Sequence, residues 1–256
     1  FPFTVKTQNV DYIKQQQVDY YNNTKKKKNF IQLICNPTNS RIRTVDRYYK
    51  HRNYDYSLVP QFHNFDKDDF QSIKLKNKFD IEKNARTLTE IELPNVDGNK
   101  DLKDSDTIIV DGKKLNKTVF NHFLPKESFE SCCDVVLESY LTGPTYFTEK
   151  TWKQIVLEKP FIMIGAKGIN HHLRDMGFKL YDEIFNYDYD LEDNELVRLK
   201  GFWAQIERYL DLDVSEFEKN LESIKEKLIY NRKLYIEMIL SIEKTFQNDT
   251  RDDIYL

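Results

Sequence analysis

The sequence predicts an α/β fold: a Rossmann-like parallel sheet with helices on both faces, followed by C-terminal helices. Three observations carry this. The runs "NFIQLICN" (29–36), "SCCDVVLESY" (131–140) and "PFIMIGA" (160–166) are almost continuously apolar, as strands covered on both faces are. Helix-like stretches follow each run, in the order of strand–helix–strand units, and such units make parallel sheets. From about residue 191 the pattern turns helical and stays so. In sheets of this kind ligands sit beyond the carboxyl ends of the strands.

The elements follow in order. Residues 1–28 are polar, with "KQQQ" and "KKKK", and form an N-terminal extension or the remnant of an upstream domain. The "KKKK" run (25–28) reads as a solvated linker. After the strand at 29–36, "SRIRTVDRYYKHR" (40–52) reads as a helix capped by Ser40, and "YDYSLVP" (54–60) as a strand closed by Pro60. Residues 61–107 are charged and weakly periodic, a region of loops with one or two short helices. "DTIIVDG" (106–112) suits a strand or a short bridging segment, and "LNKTVFNHF" (115–123) a helix.

The strand at 131–140 leads through Gly143-Pro144 to "FTEKTWKQIVLEKP", where Thr148 is the N-cap of a helix from Glu149 to about Glu158. Trp152, Ile155 and Val156 fall on its inward face. Next come the strand at 160–166, the helix "GINHHLRDMGF" (168–178) and a short strand "KLYD" (179–182). Val214, Phe217, Leu221, Ile224 and Leu228 then step by three and four residues along one helix, roughly 214–245, interrupted by Asn231. The stripe needs a partner, either this chain's own sheet or a second copy. The domains implied are 1–28, the Rossmann-like domain 29–190 and a helical segment 191–256.

Composition excludes several classes. The chain has 256 residues, 39% hydrophobic and 32% charged, with net charge −3, enough to bury a core and too balanced for a protein that coats nucleic acid. Three cysteines, two adjacent, make neither a disulfide framework nor a zinc site. That usage fits a reducing, cytoplasmic setting. No apolar run approaches the roughly 20 residues of a membrane span, and no signal peptide is visible. A chain opening on Phe1 reads as a fragment or a processed product.

The chemistry gathers on one rim. Glu138 closes the strand at 131–140, Glu149 and Lys150 open the next helix, and Gly165–Gly168 opens the one after. Glu149 suits the positive end of its helix dipole, whereas Lys150 and Lys153 do not unless an anion offsets them or they point into water. A helix start with a lysine suits a phosphate, and a carboxylate beside it suits ribose hydroxyls. Together they suit a nucleoside diphosphate.

The blander readings concern the neighbours. Tyr146, Phe147 and Trp152 read as core. His171-His172 read as surface, because adjacent histidines on a helix diverge by about 100°. Cys132 and Cys133 read as inert core, and the acidic run "YDYDLEDNE" (187–195) as a solvated turn. No metal site is expected.

The stretch "ESYLTGPTYFTEKTWKQIVLEKPFIMIGAKGINHHLRDMGFKLYDE" resembles the donor-binding half of GT-B glycosyltransferases, specifically the fucosyltransferase-like group and phage and viral proteins similar to it. The likeness covers Glu138 to Phe178. It implies that Glu149 contacts the ribose of a nucleotide sugar, GDP- or UDP-linked, and Lys150 its diphosphate, with Thr148, Glu138, Gly165 and Gly168 around them. "NFIQLICNPTNSRIRTVDRYYKHR" resembles the first strand and helix of the same half. The family often has an Arg-x-His-Arg element there; this chain has Arg41-Ile42-Arg43 without the histidine, so either arginine is a phosphate candidate.

The resemblance implies inverting, metal-independent transfer to an unknown acceptor, with cations stabilising the departing diphosphate. The family's catalytic base lies on a first domain, for which 1–28 is too short, so no base is assigned. The alternative is a non-catalytic viral binding or structural module that keeps the fold. An upstream domain or a homo-oligomer is the expected partner.

Overall fold

The computed structural model describes residues 18–34, 38–58, 107–110, 113–116 and 126–252, with side chains for 18–34, 38–56 and 127–241. The expectations for 1–17, 61–106 and 117–123 lie outside the described residues. Residues 18–23 are helical, and strand β1 (Lys28–Ile34) follows. Lys25 and Lys27 of the lysine run are exposed, as a solvated stretch would be, yet three of its four lysines are also tied to the fold. Lys26 donates to the carbonyls of Tyr21 and Phe129, Lys27 pairs with Glu130, and Lys28 donates to the Arg52 carbonyl.

Helix α1 (Asn39–Tyr48) and strand β2 (Tyr54–Leu58) come next. The cap of α1 is Thr38 rather than Ser40, and its side chain makes no capping bond. Of the segment 106–112, expected as a strand or a short bridging segment, Thr107–Val110 form β3, paired antiparallel with β4 (Lys113–Asn116). Residues 115–116 are therefore strand where a helix was expected. A helical turn, α2 (Lys126–Phe129), precedes strand β5 (Ser131–Leu137).

Beyond β5 lie helix α3 (Glu149–Val156), strand β6 (Phe161–Ile164) and helix α4 (Ile169–Asp175). A 3₁₀ turn, Asp188–Leu191, leads to helix α5 (Glu195–Leu210). The expected single C-terminal helix is broken: α6 (Val214–Leu221), a 3₁₀ turn (Glu222–Ile224), then α7 (Lys225–Asp252). At the break the Ser223 hydroxyl donates to the Asn220 carbonyl at 2.8 Å, a local bond that competes with the helical ladder. Ile224 at the turn is fully buried.

The sheet is parallel throughout, in the order β2-β1-β5-β6. β5 is buried at all seven positions, as its apolar run requires. The chain winds from β1 outward to β2, then returns beside β1 as β5 and winds outward the other way to β6. Right-handed crossovers in opposite directions put α1 and α3 on opposite faces. Tyr48 of α1 donates to the Trp203 carbonyl of α5 on one face, and Trp152 of α3 stacks on Tyr235 of α7, centroids 5.1 Å apart, on the other. Phe217, Leu221, Ile224 and Leu228 all lie in the core, so the apolar stripe packs on the chain's own sheet. Phe217 meets Phe30 of β1 at 5.1 Å.

The segment 179–182, expected as a strand, is none. Its backbone groups have other partners. Asn231 takes the Lys179 amide and carbonyl, Lys227 takes the Leu180 carbonyl, and the Tyr187 hydroxyl takes the Tyr181 amide.

Candidate functional site

Reversal of the winding direction between β1 and β5 creates a topological switch point, and crevices at such points are where open α/β sheets hold ligands. Two elements wall it: the start of α1 after β1, and the loop 138–148 with the start of α3 after β5. A buried arginine ties the walls together. Arg41 of α1, 2% exposed, donates from Nε and Nη2 to the Leu137 carbonyl at 3.1 and 2.8 Å.

Glu138, the next residue, is 1% exposed. Its carboxylate accepts from the Thr148 amide at 3.0 Å and from the Thr148 and Thr151 hydroxyls at 2.5 Å each. Three donors on one carboxylate close the loop 138–148 and place a negative charge at the positive end of α3. The anion at this helix start is thus the protein's own. Thr148 is the N-cap as expected: its hydroxyl oxygen also accepts from the Lys150 amide at 3.3 Å.

Lys150 is the second residue of α3. Its ammonium is 3.1 Å from the Thr148 hydroxyl and 3.1 Å from the Glu149 carboxylate, and its side chain keeps 18% of its surface exposed against 49% for Glu149. Burial raises the Glu149 pKa, but the adjoining Lys150 ammonium outweighs it and holds the carboxyl below its usual range. Phe147 turns inward, tilted against Trp152 and stacked on His172. Tyr146, expected as core, is 57% exposed instead.

The turn Gly165–Gly168 sits against this loop. A Cβ at Gly165 would lie 2.6 Å from Cδ1 of Ile169 and 3.2 Å from Cβ of Glu138. Glycine there permits the close approach of the two loops. Gly168 takes φ +79 before α4, a left-handed value that favours glycine. The amides beyond it are occupied: Asp190, fully buried, accepts from the Asn170 and His171 amides at 2.9 and 3.1 Å. Its other contacts are the Asn170 side chain at 2.9 Å and Nδ1 of His171 at 3.0 Å, while its carbonyl takes the Gly168 amide. The acidic run 187–195 is therefore not only a solvated turn. One of its members is the internal anion of α4.

Arg43 is exposed, on the outer side of α1, and donates from Nε to Asn39 at 2.8 Å. The two arginine candidates thus part company: Arg41 is a buried tie and Arg43 faces solvent. A third arginine escaped the sequence reading. Arg198, 1% exposed, donates to the Glu192 carbonyl at 2.5 Å and to the Leu141 carbonyl. It fastens the loop 138–148 to the entrance of α5. At the first turn of a helix, three residues after Glu195, such a residue looks like surface charge, and nothing in the local sequence hints otherwise.

Cys132 and Cys133 are buried, as expected, and burial pushes the Cys132 thiol up to about 12. Among the described residues no three His, Cys, Asp or Glu side chains form a metal-holding group, and no helix is long and apolar enough to cross a membrane. Comparison with protein-family models, with curated proteins and with solved structures gives no match. The functional reading rests on the residues themselves.

Proposed function

We propose that this chain is a glycosyltransferase, or the donor-binding half of one, and holds a nucleotide sugar at the β1/β5 switch point. The observation that carries this is the placement of Lys150. A partly exposed ammonium, bonded to the helix cap and to Glu149, stands beyond the carboxyl end of a central strand. There it suits the diphosphate, and the exposed Glu149 carboxylate suits ribose hydroxyls.

In the transfer step an acceptor hydroxyl gives up its proton to a base and its oxygen bonds to the anomeric carbon, while the bond from that carbon to the diphosphate oxygen breaks. The electron pair leaves with the diphosphate. A fixed cation beside that oxygen lowers the barrier. Helix amides contribute less than the sequence alone suggests, since Glu138 and Asp190 already occupy the starts of α3 and α4. Those internal carboxylates favour a second reading, a module that keeps the fold and binds without turnover.

Titration calorimetry with GDP, UDP and their sugars tests the reading. Binding of one of them is the expected result, and release of free nucleotide from the bound sugar nucleotide in the presence of acceptors separates enzyme from module. A folded protein that takes up none of them at millimolar concentration rules out the donor-site reading.

A further inference from the structure

We infer that the outer face of α7 pairs antiparallel with the α7 of a second copy of this chain. The helix carries two apolar faces. Leu228 and Asn231 are buried on one of them, and Tyr235 and Met238 pack against the core on the same side. At about 100° per residue, Ile229, Ile236 and Leu240 fall within about 40° of one another on the opposite side. Ile229 and Leu240 remain 49% and 37% exposed, so no described residue covers this second face. A surface helix has one apolar stripe, and a helix apolar on both sides is one that is covered on both.

The charges beside the stripe select the cover. Lys233 and Glu237 lie one turn apart on one flank of it, both exposed, and neither has a hydrogen-bond or ion-pair partner among the described residues. A two-fold axis passing α7 between residues 234 and 235 sets Ile229 level with Leu240 of the second copy. The two Ile236 positions then meet at the centre. On the flank, Lys233 of each copy comes within one residue of Glu237 of the other, so the face is complementary to itself in charge as well as in apolar pattern. A parallel pair would instead set Lys233 beside Arg232 of the second copy, like charge against like. Opposed helix dipoles favour the antiparallel sense as well.

The stripe from Ile229 to Leu240 spans about 18 Å of helix, a small contact by the measure of permanent dimers. The pair is therefore reversible, and each subunit keeps its own core when alone. This pairing does not rest on the nucleotide reading, and neither outcome below bears on that reading.

Sedimentation equilibrium of the full chain, from micromolar to millimolar concentration, tests it. The mass is expected to rise toward twice that of the chain, and Ile236→Asp to hold it at the single-chain value throughout. Lys233→Glu and Glu237→Lys are each expected to weaken the pair about tenfold, because symmetry makes the contact twice. Combining them restores opposite charges across the axis and is expected to restore the pair. Both charged positions are exposed, so these variants keep the test decisive if Ile236→Asp fails to fold, and the melting temperature of each dilute variant checks folding. A single-chain mass at every concentration, a dimer that survives a folded Ile236→Asp variant, or a double charge variant no better paired than the single ones would overturn the inference.

Discussion

Asn231 of α7 brackets the backbone of Lys179: its Oδ1 accepts from the Lys179 amide and its Nδ2 donates to the Lys179 carbonyl, both at 2.8 Å. One buried side chain thus does for this extended segment what a neighbouring strand would otherwise do, and the segment needs no place in the sheet. The same residue interrupts the apolar stripe of the helix because it has this second task. Asn231→Leu is expected to cost about 1–3 kcal/mol, the penalty for backbone groups left without partners. Urea denaturation measures it. An unchanged midpoint would mean that water replaces both bonds.

Just before β6, Lys159 pairs with Asp134 of β5, the two side chains 1% and 4% exposed, and Lys159 also donates to the Ser128 carbonyl and the Ser128 and Ser131 hydroxyls. Burial raises the Asp134 pKa against the pull of Lys159. Lys159→Met strands that carboxylate, with an expected loss of about 3–5 kcal/mol. Adding Asp134→Leu should recover most of it, since an apolar pair avoids the desolvation of both charges. A double variant no more stable than the single one would show that the serine contacts, not the charge pair, hold this corner.

Three of the four strands of the sheet, β1, β5 and β6, were legible because they are continuous apolar runs, and such runs fit few other environments. Thr148 was legible as a cap from its type and place, and the gathering of Glu138, Thr148, Glu149, Lys150 and Gly165 followed from strand order alone. What the sequence hides is the partner of each charge. Glu138 and Asp190 look like solvent-facing or ligand-facing acids, yet each satisfies a helix start within the chain. Arg41 and Arg198 look like surface cations, yet both are buried on backbone carbonyls. Local spacing carries no record of those distant bonds, and "KLYD" was misread for the same reason.

Lys150 and Lys153 separate a site from a basic surface. Lys150→Ala is expected to weaken nucleotide binding by about 1.5–3 kcal/mol, the worth of a hydrogen bond to a charged group, and Lys153→Ala to change it little. Calorimetry on both variants decides. Equal losses would mean a diffuse field without a fixed contact.

Lys26 makes stability depend on pH in a defined direction. Burial and the nearby Lys159 ammonium lower its pKa from 10.5 to about 8. Between those values the unfolded chain holds the proton and the folded chain does not, so raising the pH through that window favours the folded state. Below pH 8 the folded state carries the penalty in full. Lys26→Met removes this group, so the advantage of the variant over the parent chain should shrink as pH rises from 8 to 10.5. A difference in urea midpoint that stays constant across the window would show that the carbonyls of Tyr21 and Phe129 compensate the buried charge.

Leu221 decides what the C-terminal helices are for. It is 8% exposed, on the stripe that packs against the sheet, whereas Ile229 on α7 is 49% exposed. Leu221→Asp puts a carboxylate into that packing without a partner, and a loss of about 3 kcal/mol or more is expected. Against a total stability of about 5–15 kcal/mol, that is a large fraction. Ile229→Asp, which leaves its charge in water, should cost less than about 0.5 kcal/mol. Urea denaturation of the two variants gives the contrast, and light scattering gives the mass of each. The outcome that overturns intrachain packing is a Leu221→Asp protein with the parent midpoint and a smaller mass. The stripe would then be a contact between copies, and assembly, not core formation, would be the task of α6.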